Sequence, residues 1–219
     1  ERLMEMGFTL SFGKHTKESD DFLSSSVESR VEDLHEAFAD DQVNGILTVI
    51  GGFNSNQLLK HLDWDLIKNN PKFFCGYSDI TALNNSVFAK TGLVTYSGAH
   101  YSSFGQKLHL EYTKEYFEKT AMSDQPVVVK PSTQWSDDQW WLDQNDRQPL
   151  ENPGFTVINP GNAKGTVIGG NLCTLNLLQG TEFMPSLAGT VVFVEDDELA
   201  FAAEFERNLQ SLLHLPDFD

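Results

Sequence analysis

Over its first hundred residues the chain alternates short apolar runs with amphipathic stretches, and each apolar run ends in a turn of small residues. Gly45-Ile46-Leu47-Thr48-Val49-Ile50 leads into Gly51-Gly52-Phe53-Asn54-Ser55-Asn56. Phe73-Phe74-Cys75 leads into Gly76-Tyr77-Ser78-Asp79, and Leu93 to Tyr96 into Ser97-Gly98-Ala99-His100. A continuous apolar run predicts a strand covered on both faces. Between the runs lie helical patterns: Asp20 to Ala39, with Phe22, Val27, Val31, Leu34 and Phe38 on one side, then Gln57 to Lys68, then Ile80 to Lys90, ended by Gly92. Repeated strand–helix units of this kind predict an α/β fold with a parallel sheet.

The pattern changes after about residue 106. Leu108 to Met122 is predicted helical and Val127 to Lys130 a short strand. Residues 132–154 are polar and aromatic, with Trp135, Trp140 and Trp141. Phe155 to Ile158 and Gly165 to Ile168 flank Asn159-Pro160-Gly161-Asn162 and predict a hairpin. Asn171 is placed to cap a helix running to Gln179, and Gly189 to Val194 is an apolar strand entering Glu195-Asp196-Asp197-Glu198. The expected division is 1–106, carrying the serine turn, then 107–154 as a connecting helix and Trp-rich insert, then 155–219 as a smaller, strand-rich mixed α/β domain. At the start, Glu1 to Met6 reads as the end of a helix stopped by Gly7, with Phe8 to Phe12 alternating like a strand; at the other end, Glu204 to Leu213 reads as an amphipathic helix. An α/β domain usually opens on a strand, so a first strand and a last segment are expected to be missing.

Charge narrows the possible partners. Fifteen basic against 32 acidic residues give a formal charge of -17. Such a surface repels phosphate backbones and anionic lipid, so neither a nucleic acid polymer nor a membrane is expected as partner. Sixteen Phe and 21% charged residues argue against disorder. Cys75 and Cys173 stand alone, without metal or redox spacing, which points to a cytoplasmic setting.

Four places carry candidate chemistry. A serine on a sharp strand-to-helix turn is displayed at the carboxyl edge of the sheet, so Ser78 reads as a nucleophile with the Asp79 N–H as oxyanion donor. The competing reading of Ser78 is an N-cap. The Gly51-Gly52 turn opens on the same edge, where glycine at 52 permits close substrate approach and the Gly52 or Phe53 N–H can be a second donor. A phosphate loop lacks its signature there, and a plain strand-end turn is the bland alternative. Glu195, ending an apolar strand, can orient an imidazole; with Asp196, Asp197 and Glu198 it can instead form a cation site or a solvated loop. The base is the gap: of six histidines, His100 alone ends a predicted strand near this edge.

Taken together, Ile50 to Asn56, Gly76 to Leu83, Ile168-Gly169-Gly170-Asn171-Leu172 and Phe193-Val194-Glu195-Asp196 resemble the LD-carboxypeptidase and microcin C immunity family of serine peptidases, the immunity branch more closely. The resemblance implies a Rossmann-like parallel-sheet domain followed by a strand-rich one. It implies a Ser–Glu–His triad with Ser78 as nucleophile and Glu195 as orienting acid, its histidine lying beyond Asp219. Gly52 and Asp79 amides would form the oxyanion hole. Asn171, unless merely a cap, would bind substrate. Trp135, Trp140 and Trp141 would stack a nucleobase or else plug a surface. The implied substrate is a murein peptide or a peptidyl- or aminoacyl-nucleotide, cleaved at an amide without metal or other cofactor by a homodimer. The alternatives are a non-catalytic peptide- or nucleotide-binding module of the same fold and a metal-dependent hydrolase using the acidic run.

Overall fold

The computed structural model describes residues 1–197 and 199–218. Strand β1 (Gly45–Leu47) pairs in parallel with β2 (Phe73–Cys75), and Tyr96 extends the sheet through a single parallel bridge to Cys75. The pleat sends alternate side chains to opposite faces. Ile46 and Phe74 enter one apolar cluster, whereas Leu47, Phe73 and Cys75 enter another with Leu3, Met6, Phe104, Leu110 and Phe117. The doubly covered sheet is therefore as the apolar runs require.

Helices α1 (Arg2–Glu5), α2 (Val27–Ala39), α3 (Trp64–Asn69), α4 (Thr81–Thr91) and α5 (Glu111–Ala121) follow the predicted order. Several are shorter than their patterns. The Asp20 side chain accepts the amides of Phe22 and Ser24 in a turn, so α2 starts only after its Ser26 cap. The stretch read as one helix from Gln57 divides into a 3₁₀ turn, Ser55–Leu58, and α3, because Asp63 accepts the Leu66 N–H and starts a new helix. Gly92 ends α4 at φ 77°, the left-handed conformation expected of a C′ glycine.

The two small strands β3 (Gln134–Trp135) and β4 (Leu150–Glu151) pair antiparallel within the Trp-rich insert. Then β5 (Thr166–Asn171) leads into α6 (Leu172–Asn176), and β6 (Thr190–Glu195) into α7 (Ala202–Leu212). The expected hairpin does not form: β5 pairs in parallel with β6, Asn171 opposite Glu195, and Phe155 to Ile158 stays irregular and exposed. Phe8 to Phe12 and Val127 to Lys130 likewise stay irregular; Phe8 and Leu10 pack on the second cluster without pairing.

One apolar core joins the two halves. Phe38, Ile67, Phe74, Leu83 and Val87 share a cluster with Ile168, Leu172, Leu175, Leu178 and Leu212. Helix α4 packs on both β5 and α6. Its approach to β5 depends on glycine: a Cβ at Gly170 would sit 2.4 Å from Thr81 Oγ1. Asn85 ties the same pair, donating to Gly169 O (2.8 Å) and accepting from Gly169 N (3.2 Å).

Candidate active site

Ser78 follows β2 at φ 61°, a left-handed conformation that costs an ordinary L-residue roughly 1–2 kcal/mol. The turn proceeds through a 3₁₀ segment, Ser78–Ile80, into α4. The serine is half-buried rather than interior, and among the described residues its hydroxyl makes no hydrogen bond. It therefore caps nothing. By contrast Asn171 is a working cap: its Oδ1 accepts the Thr174 N–H at 3.0 Å, and its Nδ2 donates to Asp196 Oδ1 at 3.1 Å. With the side chain so committed, Asn171 shapes the start of α6 and holds Asp196.

The diglycine turn faces the serine, and the deciding position is Gly51. A Cβ there would lie 3.0 Å from Ser78 Cβ, 3.1 Å from its Oγ and 3.5 Å from Asp79 N. The space next to the hydroxyl and that amide is thus one a side chain at 51 would fill. The sequence reading gave this part to Gly52, whose own Cβ would meet nothing nearer than Asp79 Oδ2 at 3.8 Å; Gly52 is needed for its φ of 133°.

Asp79 is 4% exposed and holds the two turns together. Its Oδ2 accepts the Ser55 N–H at 2.8 Å, while the Ser55 hydroxyl donates to its carbonyl at 2.6 Å. Arg30 steadies the other side, donating to Asn54 O (3.1 Å), Asn54 Oδ1 (3.0 Å) and Gln57 Oε1 (2.8 Å). Neither Ser55 nor Arg30 was singled out from sequence; the Asn54-Ser55-Asn56 stretch after the glycines was the available signal.

Glu195 ends β6 beside Asn171. Burial, reinforced by the charges of Asp196 and Asp197, pushes its carboxyl above the ordinary range, and its buried Oε1 has no partner among the described residues. The acidic run does not gather into a metal cage. Asp196 Oδ1 is taken up by Asn171 and by the Asp197 N–H, and among the described residues no three His, Cys, Asp or Glu side chains converge as metal ligands. Glu198, the fourth acid of that reading, lies outside the described residues.

His100 is placed against a role as base. It is 2% exposed, shares a 2.9 Å hydrogen bond with Thr48 Oγ1 through Nδ1, and stacks on Tyr77 with ring centroids 4.2 Å apart. Burial drives its pKa down to about 4. No hydrogen bond connects it to Ser78 among the described residues. Among the described residues no hydrogen bond or ring contact links the tryptophans to the serine turn. Trp140 and Trp141 meet edge to face at 6.0 Å, and Trp140 lies over Gly105; Gln144 and Arg147 fasten the insert to residues 105–108. Trp135 is paired in β3 and half-exposed.

The model of the LD-carboxypeptidase N-terminal domain matches residues 1–98, and that of the LD-carboxypeptidase C-terminal domain matches residues 164–219. The chain belongs to the LD-carboxypeptidase family. Ser78 falls in the first LD-carboxypeptidase match and Glu195 in the second, whereas the Trp-rich insert falls in neither. A putative carboxypeptidase of Bacillus subtilis, YocD, is 55% identical over 99% of this chain and 66% of its own length. The microcin C7 self-immunity protein MccF of Escherichia coli is 37% identical over 92% of this chain and 61% of its own. Among solved structures, an MccF-like protein from Bacillus anthracis superposes with a TM-score of 0.98 at 55% identity, covering 99% of this chain and 67% of that one. MccF in complex with glutamyl sulfamoyl guanosine gives 0.86 at 34% identity, covering 96% and 65%. The chain thus spans about two thirds or less of the length of the curated relatives named here. Its α/β fold, with parallel sheets in both halves, is that of the MccF structures. Among the described residues no helix is long and apolar enough to cross a membrane.

Proposed function

We propose that the protein is a serine amidase of the carboxypeptidase type, with Ser78 as nucleophile. The observation that supports this most is the Ser78 hydroxyl, without a hydrogen bond among the described residues, on a left-handed turn and facing a space that glycine at 51 keeps open beside the Asp79 amide. In this reading Ser78 Oγ attacks the substrate carbonyl and passes its proton to an imidazole. The carbonyl oxygen, now negative, is held by the Asp79 and Gly52 N–H groups. The C–N bond breaks as the imidazole returns the proton to the leaving nitrogen, and water then releases the acyl group from Ser78. Glu195, with a buried oxygen that has no partner among the described residues, is suited to orient that imidazole, which a segment beyond residue 219 would supply.

The substrate proposed is a peptidyl- or aminoacyl-nucleotide, with a murein tetrapeptide as the other candidate. Support comes from relatives whose names include a microcin C7 self-immunity protein and a murein tetrapeptide carboxypeptidase, and from MccF structures with aminoacyl sulfamoyl nucleosides. Homodimer assembly and a cytoplasmic setting are proposed on the family resemblance and, for the setting, on the isolated cysteines. The alternative reading is a non-catalytic peptide- or nucleotide-binding module of the same fold.

The test uses the full-length protein, a fluorophosphonate probe and both amide substrates, with products read by mass spectrometry. Probe labelling and cleavage that disappear together in Ser78→Ala are the expected result. Substrate binding without either, in a folded protein, establishes the binding module.

A further inference from the structure

Two turns on separate strands must keep a fixed spacing if their amides are to grip one oxygen. The ladder between β1 and β2 ends at Thr48, whose N–H donates to Cys75 O at 3.1 Å. Past that point the direct hydrogen bonds between the diglycine turn and the serine turn, among the described residues, are the two of Ser55 with Asp79. They are reciprocal: the Ser55 backbone donates to the Asp79 side chain, and the Ser55 side chain donates to the Asp79 backbone. Both residues are buried, at 5% and 4% exposure, so water competes poorly for these groups. Ser55 lies three residues beyond Gly52, and Asp79 directly follows Ser78.

We infer that Ser55 is a positioning residue, which through this clamp sets the spacing of the Gly52 and Asp79 amides and so the geometry of the oxyanion site. The inference rests on the serine-amidase reading. Its physical content is that donors aimed in advance at a developing charge act only if they cannot drift. Arg30, bonded to Asn54, braces the turn from behind and leaves Ser55 as the joint between the two halves.

Ser55→Ala removes one bond of the clamp and Asp79→Ala the other. In the full-length protein, active sites are counted with the fluorophosphonate probe, and kcat is then measured per titrated site on whichever amide substrate the wild type cleaves. Each variant is expected to lose roughly 10-fold or more in kcat, the worth of about one hydrogen bond, with KM changed by no more than about twofold. A role confined to stability lowers the titrated fraction and the melting temperature but leaves kcat per site at the wild-type value, and that result overturns the inference. Where Ser55→Ala does not fold, Ser55→Cys keeps the volume while donating weakly, and wild-type kcat per site in it overturns the inference equally. A wild type that neither titrates nor cleaves removes the amidase reading and the clamp with it. An active wild type with unimpaired variants removes the clamp alone.

Discussion

Gly51 and Ser78 stand so close that a methyl group on the first would touch both the Cβ and the Oγ of the second, at 3.0 and 3.1 Å. The neighbouring atoms belong to a turn held by backbone bonds, so the contact has little room to relax. Gly51→Ala is therefore expected to cut the rate of fluorophosphonate labelling at Ser78 by at least ~10-fold, since misplacement by a few tenths of an ångström disrupts attack geometry. Chemical denaturation of the same variant separates this local effect from a general loss of stability.

Ser78 itself sits at φ 61°. Glycine adopts that conformation freely and alanine does not, so Ser78→Gly should be more stable than Ser78→Ala by about 1 kcal/mol. Urea midpoints of the two variants measure this difference. Equal midpoints mean that the turn carries no strain.

Gly169 in β5 leaves no room for a side chain against β6. A Cβ there would come within 1.7 Å of Phe193 O, a backbone atom, at a φ of 142° that side chains avoid. Gly169→Ala should cost about 3 kcal/mol or more, as forced separation of paired strands does. Denaturant unfolding gives the value, and a loss under about 1 kcal/mol contradicts the tight packing.

Stability should respond to pH through two groups of opposite sign, buried His100 and half-buried Glu195. His100 holds no proton in the folded state until about pH 4, while its ordinary pKa is 6.5. Between those values the unfolded chain binds more protons, so His100 makes stability fall as pH drops from 6.5 toward 4. Glu195 is pushed above its ordinary 4.5, so the folded state keeps a proton that the unfolded state has released, and stability is lost as pH rises past 4.5. His100→Gln should flatten the acid side of the profile. Glu195→Gln should exceed the wild type in melting temperature at pH 7, and this advantage should vanish near pH 4.

The serine turn was legible because its chemistry is local: an apolar strand, a glycine, then a serine before a helix. Whether Ser78 caps α4 was not, since only coordinates show that no backbone N–H among the described residues reaches its hydroxyl. The direction of an absent Cβ is likewise invisible in Gly51-Gly52, and so the closeness of Gly51 to Ser78 is not read from the sequence. Helix α2 was overextended because Asp20, an ordinary helix residue by pattern, folds its side chain back onto Phe22 and Ser24. The hairpin at Asn159-Pro160-Gly161-Asn162 failed for a different reason. Alternation reports that a segment can pair but not with what, and β5 is claimed by β6 through closer contact at Gly169.

The cluster shared by α4, β5 and α6 carries a consequence for how the molecule is made. The apolar side of α4 finds its counterpart in Ile168, Leu172 and Leu175, which leave the ribosome some eighty residues later. Until then the serine turn has a neighbour in the diglycine loop but no floor beneath it. The serine turn of a half-synthesised chain thus lacks its final support, and separating the two family segments at a linker would expose greasy surface on both pieces.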